Sequence, residues 1–369
     1  MAAITEDAIK ELAAFRSQGA PVVTCYLDVD GRRRPRPVDY EQELEHLVRE
    51  AAGREHGSAA SADLDRIVEH VRAGFDRSRV RGMAVFACGD DLWRVIELPV
   101  AVQDRIVINA APAVAQLEAV AQESARVGVL ALDKRRARLF VFELGELAEH
   151  HEVVDELPRD VDSVGHRERG DTSHHVDELV AQHVRNASRA AFEVFQAAGV
   201  RDILLAVPDA LVSELERDLH PYVAERVRGR LDQRIDTPLD ELREAVLARE
   251  HDITVAREAQ LVDRLRATVG AGTLGVAGLA DTLAALADRR VDVLLVSKGY
   301  GELGWRCDAC GSLASVGRRC GRCDAEMVHV DDVVEEAVDV AFAQGCRVEV
   351  VDGSADLDVL GRIGGLLRF

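Results

Sequence analysis

The 369-residue chain has almost no lysine, no long apolar run and little cysteine. Only Lys10, Lys134 and Lys298 stand among 46 basic residues, so arginine supplies 43. Arginine is the better fork for phosphate, but so lopsided a ratio is explained first by a GC-rich coding bias. Acids number 66 and the net charge is −20. The basic excess that marks a non-specific nucleic-acid binder is therefore missing. Any contact with RNA has to come from local arginine clusters, and no DNA partner is expected. No run of about 18 apolar residues occurs, which excludes a membrane-spanning helix. The opening MAAITEDAIKELAAF has acids where a signal peptide needs a basic start and an apolar stretch. Seven cysteines are too few for a disulfide framework, and four of them cluster, which favours a reducing compartment and a metal. The expected location is cytoplasmic. No Walker-type glycine loop, no GxSxG and no HExxH is present. Gly361, Gly364 and Gly365 lack a strand–helix context and are read as packing and turn residues.

What is present is a globular composition, 47% apolar and 30% charged, at a length that calls for two or three domains. Residues 1–126 form a first α/β segment. A helix bearing Ala8, Leu12 and Phe15 leads into the strand Pro21–Val29. The loop Asp30–Pro37 carries Arg32, Arg33, Arg34 and Arg36. Helices over Val38–Ala52 and Ala62–Phe75 follow, then a hairpin of Val80–Cys88 with Leu92–Leu98, and a connecting helix over 110–125. Residues 127–271 form a second segment. Two strands around Lys134-Arg135-Arg136 and a third at Glu149–Val154 make a meander. A long loop covers Leu157–Ser173, and an apolar stripe predicts a helix from Val176 to Ala198. Strand Ile203–Val207 and helices over Pro221–Val227 and Pro238–Thr268 complete a mixed layer. Residues 272–369 make a third segment, a compact α/β sandwich, interrupted by an insert of different composition at 304–327.

That insert holds Cys307-Asp-Ala-Cys310 and Cys320-Gly-Arg-Cys323. Two residues between thiolates let one tight turn aim both sulfurs at one ion, and two such turns complete a tetrahedral Zn²⁺ site. Four thiolates leave no open coordination position, so the zinc would be structural; a redox role for the pairs is the weaker alternative. Trp305 and Met327 are expected to cover the ribbon's apolar side. Arg318, Arg319 and Arg322 could grip phosphate or an acidic partner, or simply be solvated.

Six histidines (His150, His151, His166, His174, His175 and His183) fall between residues 150 and 183. His174 and His175 with Asp171 could ligate a metal, a histidine could act as a general base, or the loop, with Arg167 and Arg169, could reach RNA, where histidine and arginine stack on bases and bond phosphates. No paired nucleophile lies beside them, which favours reach over catalysis. Asp133, Glu143 and Asp209 stand at strand ends and could hold Mg²⁺ for phosphodiester cleavage, although acids are ordinary turn residues there.

Several of these stretches resemble one family. The closing Gly361-Arg-Ile-Gly-Gly-Leu-Leu-Arg-Phe369 resembles the end of archaeal and eukaryotic peptide-chain release factors and of Pelota. VDVLLVSKGY (291–300), the cysteine insert and VDDVVEEAVDVAFAQGCRVEVV (330–351) are similar to the archaeal form of their C-terminal domain, which also carries a zinc ribbon. The middle segment resembles their ribonuclease-H-like domain. VVTCYLDVDGRRRP (22–35) resembles the bacterial branch, which includes Balon-like ribosome hibernation factors. The resemblance implies three domains and a C-terminal domain that meets a translational GTPase. Release factors carry Gly-Gly-Gln in the loop before the long middle helix. Here that loop reads Gly165-His-Arg-Glu-Arg-Gly-Asp-Thr-Ser-His-His175, and Gly-Gly-Gln occurs nowhere in the chain. The resemblance thus implies a ribosome-binding factor of the Pelota/Balon type, in hibernation or rescue, without codon-directed peptide release. It places Arg32, Arg33, Arg34 and Arg36 on ribosomal RNA near the decoding side, and His166, Arg167, Arg169, His174 and His175 near the acceptor end of tRNA. The alternatives are a peptidyl-tRNA hydrolase or metal-dependent nuclease, and a zinc-ribbon adaptor for another protein.

Overall fold

The computed structural model describes residues 6–17, 19–54, 56–77, 80–123, 125–143, 146–154 and 169–369. It is mixed α/β, with four sheets among the described residues. Residues 1–122 and 258–369 form one compact unit, and 123–257 form a second.

The first unit begins with α1 (Glu6–Ala14), β1 (Val22–Asp28), α2 (Pro37–Ala52), α3 (Ser61–Ala73), β2 (Gly82–Cys88), β3 (Leu92–Leu98), β4 (Arg105–Asn109) and α4 (Ala115–Glu123). The strands make an antiparallel sheet in the order β3-β2-β1-β4. Strand alternation divides β1 between two cores. Val23, Cys25 and Leu27 pack under α2 and α3 with Tyr40, Leu44, Leu64 and Ile67. Tyr26 points the other way, beside Phe86, and its hydroxyl donates to Ala113 O at 2.7 Å. Both faces of β1 are thus covered, which is why its sequence is one apolar run rather than an alternation.

The second unit contains β5 (Val127–Leu132), β6 (Arg136–Glu143), β7 (Glu146–Val154), α5 (Arg169–Ala197), β8 (Asp202–Ala206), α6 (Asp209–Asp218), α7 (Pro221–Ala224), β9 (Val227–Arg230) and the first part of α8 (Leu239–Gly270). Its sheet order is β7-β6-β5-β8-β9. The first three strands are antiparallel, and β5–β8 and β8–β9 are parallel. One face packs against Val184, Ala191 and Phe195 of α5, and the other against Leu242 and Val246 of α8.

The chain then returns to the first unit with β10 (Gly275–Ala277), α9 (Leu279–Ala287), β11 (Val291–Ser297), β12 (Gly304–Arg306), β13 (Leu313–Ala314), β14 (Val328–Val330), α10 (Val333–Ala343), β15 (Arg347–Val351), α11 (Ala355–Val359) and β16 (Ile363–Leu367). Sheet β10-β16-β11-β15 carries Leu294 and Val296 on one face and Val293 and Leu295 on the other. The glycine-rich C-terminus has a packing cause. Gly361 sits at φ +96°, and a Cβ there would lie 2.9 Å from Gly278 Cα; a Cβ on Gly364 would meet Leu265 Cδ2 at 2.6 Å.

The sequence suggested separate first and third segments. In the structure Tyr26, Phe86 and Leu117 share one apolar core with Leu294, Val333 and Ala337. Buried ion pairs reinforce this junction. Asp332 caps α10 through Val334 N and Glu335 N, while Asn109 bonds both its backbone N–H and its carbonyl, at 3.2 and 2.9 Å. Arg105 pairs with Asp332 and, at 3.5 Å, with Glu335. Arg54 reaches Asp331 at 3.1 Å and Arg16 pairs with Asp339 across the same junction, while Arg306 reaches Glu336 at 3.4 Å within the third segment.

Candidate metal centre and RNA-facing residues

The insert is a three-stranded ribbon in the order β13-β12-β14. Its two cysteine turns are built alike. In the first, Gly311 N–H donates to Cys307 O at 2.7 Å; in the second, Asp324 N–H donates to Cys320 O at 2.9 Å. Gly311 and Asp324 occupy equivalent positions and both adopt positive φ, +74° and +57°. Glycine does so freely, and aspartate is among the few other residues that tolerate it. The turns bring all four Sγ atoms within 4.8 Å of one another. Cys307 lies 3.5 Å from Cys323, and Cys310 lies 3.4 Å from Cys320. Zn–S bonds of ~2.3 Å in a tetrahedron would separate sulfurs by about 3.8 Å, so the donor set fits a thiophilic divalent ion. Cys307, Cys320 and Met327 pack with Trp305 as a small apolar cluster, which is the cover expected of Trp305 and Met327.

Two of the four thiols are lowered and one is raised: against the Ala325 N–H, the Cys307 and Cys310 thiols push Cys323 up to about 12. The Ser312 hydroxyl and backbone N–H, then the Cys320 thiol, lower Cys310 to about 6. The N–H groups of Arg322 and Cys323 lower Cys320 as well. A divalent ion bound by all four sulfurs would have no vacant coordination position, the arrangement of a structural rather than a catalytic site. The flanking arginines are engaged locally. Arg319 pairs with Asp324 at 2.7 Å, Arg322 with Asp288 at 2.8 Å, and Arg318 lies 5.7 Å over the Trp305 ring.

The arginines after β1 divide into two kinds. Arg34 is a fold residue: its side chain is 20% exposed, it pairs with Asp104, and it donates to Asp28 O at 2.7 Å. Arg32, Arg33 and Arg36 project into solvent, near Asp30 at 3.9 Å, Asp28 at 3.3 Å and Asp39 at 2.7 Å respectively. Arg36 also closes the N-terminus of α2 with Asp39. Of the expected tRNA-facing residues, His166 and Arg167 lie outside the described residues. Arg169, His174 and His175 have their backbone in α5, which begins seven residues before the predicted Val176; their side chains lie outside what is described.

Of the candidate nuclease carboxylates, Asp133 and Asp209 both follow the C-terminal ends of the paired parallel strands β5 and β8, and Glu143 lies at the other end of the sheet. Asp133 accepts from the N–H groups of Arg135 and Arg136, at 2.7 Å each, and so closes the β5–β6 turn. Glu143 ends β6 at the opposite end of the sheet, paired with Arg126 at 3.3 Å. Asp209 pairs with Arg230 at 2.7 Å. His150 stacks on Phe140 at 4.7 Å, and burial, then Arg138, lowers its pKa. His183 is buried in α5.

With these positions defined, comparison with known proteins is informative for the middle of the chain. Residues 112–255 match the family model described as bacterial archaeo-eukaryotic release factor family 10. Over this segment, about two fifths of its length, the chain is similar to that bacterial family. The segment takes in the whole mixed sheet of the second unit and the helix that follows the missing Gly-Gly-Gln position. Among solved structures, the chain is similar to the archaeal translation termination factor aRF1, with 16% identity, TM-score 0.28 and coverage of 98% of this chain and 96% of that one. It is similar to Dom34 of S. cerevisiae, a translation termination-like factor interacting with Hbs1, with 11% identity, TM-score 0.43 and coverage of 78% and 79%. It is also similar to archaeal Pelota from a ribosome-bound model with ABCE1, with 13% identity, TM-score 0.42 and coverage of 100% and 95%. No curated protein sequence matches significantly.

Proposed function

We propose that this protein is a ribosome-associated factor of the Pelota/Balon type that occupies the tRNA site in hibernation or rescue without hydrolysing peptidyl-tRNA. The observation that carries the reading is the release-factor family match over 112–255 in a chain from which Gly-Gly-Gln is absent. Three modules, 1–126, 127–271 and 272–369, would divide the task. The first would present Arg32, Arg33 and Arg36 to ribosomal RNA, with Arg34 holding their loop through Asp104. The stretch containing His166, Arg167, Arg169, His174 and His175 would approach the acceptor end of tRNA. The third would carry Zn²⁺ on Cys307, Cys310, Cys320 and Cys323 and meet a translational GTPase. The non-nuclease reading is supported by Glu143 standing at the far end of the sheet and by the turn N–H groups and arginines that already engage Asp133, Glu143 and Asp209, because a two-metal site needs carboxylates that share ions about 4 Å apart. The net charge of −20 opposes long-range attraction to RNA. At physiological salt the Debye length is about 8 Å, so short arginine loops act locally while distant acids are screened. Sucrose-gradient sedimentation of lysates tests the reading: the protein is expected in 70S fractions in growing or stationary cells, and its confinement to the top of the gradient in both would overturn it.

A further inference from the structure

The second unit carries a surface that none of the expected site residues uses. It starts on α5, where Arg185, Arg189 and Phe192 follow one another at four- and three-residue spacing and therefore share one helical face. The chain after α6 folds back onto that face. His220 stacks on Phe192, with ring centroids 3.7 Å apart and 27° between planes, and Tyr222 meets Phe192 edge-on at 6.0 Å. Arg226 lies 3.7 Å over the Tyr222 ring. The group is held in place from behind. His220 Nδ1 accepts from Tyr222 N–H at 3.2 Å as the N-cap of α7, and the Tyr222 hydroxyl donates to Phe195 O and Val200 O at 3.4 Å. His220 is nevertheless exposed, so its ring keeps one free face, the one turned away from Phe192.

The arginines here differ from most in the chain. Arg185 donates to Gln182 at 2.8 Å, Arg189 to Asn186 at 3.5 Å, and Arg226 to Tyr222 O at 3.0 Å. Among the described residues none of the three is paired with a carboxylate, whereas Arg201, Arg228 and Arg230 on the neighbouring strands all are. Glu193 and Glu225 stand beside the group in sequence and remain exposed. At 1.5 Å rise per residue the stretch from Arg185 to Phe192 spans about 10 Å, and the rings extend it to Arg226. Flat rings with one open face, flanked by cations that no acid neutralises, are what unpaired nucleotides require: stacking for bases, guanidinium forks for phosphates. A duplex offers its bases to no such platform.

We infer that Arg185, Arg189, Phe192, His220, Tyr222 and Arg226 form a stacking platform for unpaired RNA, the outer face of His220 receiving a base and the arginines the adjoining phosphates. The inference rests on the proposed ribosome association only for the source of that RNA. Fluorescence anisotropy with the full chain tests it, using a labelled 12-nucleotide single-stranded RNA and a 12-base-pair RNA duplex. His220→Asn keeps an N-cap acceptor for Tyr222 N–H and removes the ring. It is expected to melt as the wild type does and to bind the single strand about ten-fold more weakly. Replacing Arg185 and Arg189 by Gln is expected to lower the slope of log affinity against log salt by about 1.4. Absence of single-strand binding by the wild type, equal binding of the duplex, or unchanged affinity in both variants would overturn the inference. Ribosome pelleting run alongside separates the two readings. A wild type that pellets while it and His220→Asn bind the single strand equally sinks the platform alone, and a wild type that binds RNA through His220 but never pellets sinks the ribosome reading alone.

Discussion

Asp339 and Arg105 show how burial governs single residues at the junction of the first and third segments. Burial, set against Arg16 and reinforced by Glu336, raises the Asp339 carboxyl from 3.8 to about 7, and its Oδ1 has no hydrogen-bond partner. The folded protein therefore holds this proton more tightly than the unfolded chain does. Between about pH 4 and 7 this group removes stability as pH rises, at up to about 1.4 kcal/mol per pH unit, and above 7 the loss is complete. Asp339→Asn should accordingly melt several degrees higher than the wild type at pH 8 and match it near pH 4; a lower melting temperature at pH 8 would show that the Arg16 pair outweighs desolvation. Arg105 is the opposite case, the cation that makes two buried carboxylates tolerable. Arg105→Met leaves Asp332 and Glu335 without it and should cost about 3–5 kcal/mol. Urea unfolding followed by tryptophan fluorescence reads this directly, because Trp93 and Trp305 both lie in the first unit.

At the scale of elements, the ribbon would depend on a bound metal more than on its core. Its apolar cluster contains only Cys307, Cys320 and Met327 as buried residues, too few to order 24 residues without help. Zinc would supply on the order of 10 kcal/mol. Metal analysis should find one zinc per chain. Chelation or Cys310→Ser should lower the melting temperature and shift Trp305 emission, and a ribbon signal indifferent to chelator would contradict a structural ion. This element was legible in the sequence because its spacing is itself the geometry: two residues between thiols make the turn. Long helices were legible too, through periodic stripes such as Val180, Val184, Ala187 and Ala191. Strands β4 and β9 escaped notice. Arg105–Asn109 is a five-residue edge strand, and Val227–Arg230 reads Val-Arg-Gly-Arg, with only one apolar residue. Pairing with β1 and β8 defines them, not their own composition. The platform around His220 was equally hidden, since Phe192 and His220 are distant in sequence and meet only when α7 folds onto α5.

At the scale of the whole molecule, an acidic chain is assigned to a partner made of RNA, and the reconciliation lies in where its cations stand. Arg34 is spent inside the fold, whereas Arg32, Arg33 and Arg36 and the unpaired Arg185, Arg189 and Arg226 project from an otherwise acidic surface. Separate first and third modules were expected, but residues far apart in sequence complete one core, as Leu117 and Val333 do. Such long-range closure leaves no local mark on a sequence. The departure of the middle segment from the release-factor pattern, the absence of Gly-Gly-Gln, is visible without a structure. The most direct test is a reconstituted one: purified protein added in excess to bacterial 70S ribosomes stalled with labelled peptidyl-tRNA, then pelleted. The protein should co-pellet while the labelled peptide stays attached to tRNA. Failure to co-pellet, or release of the peptide, would contradict a ribosome-bound factor that has lost hydrolysis.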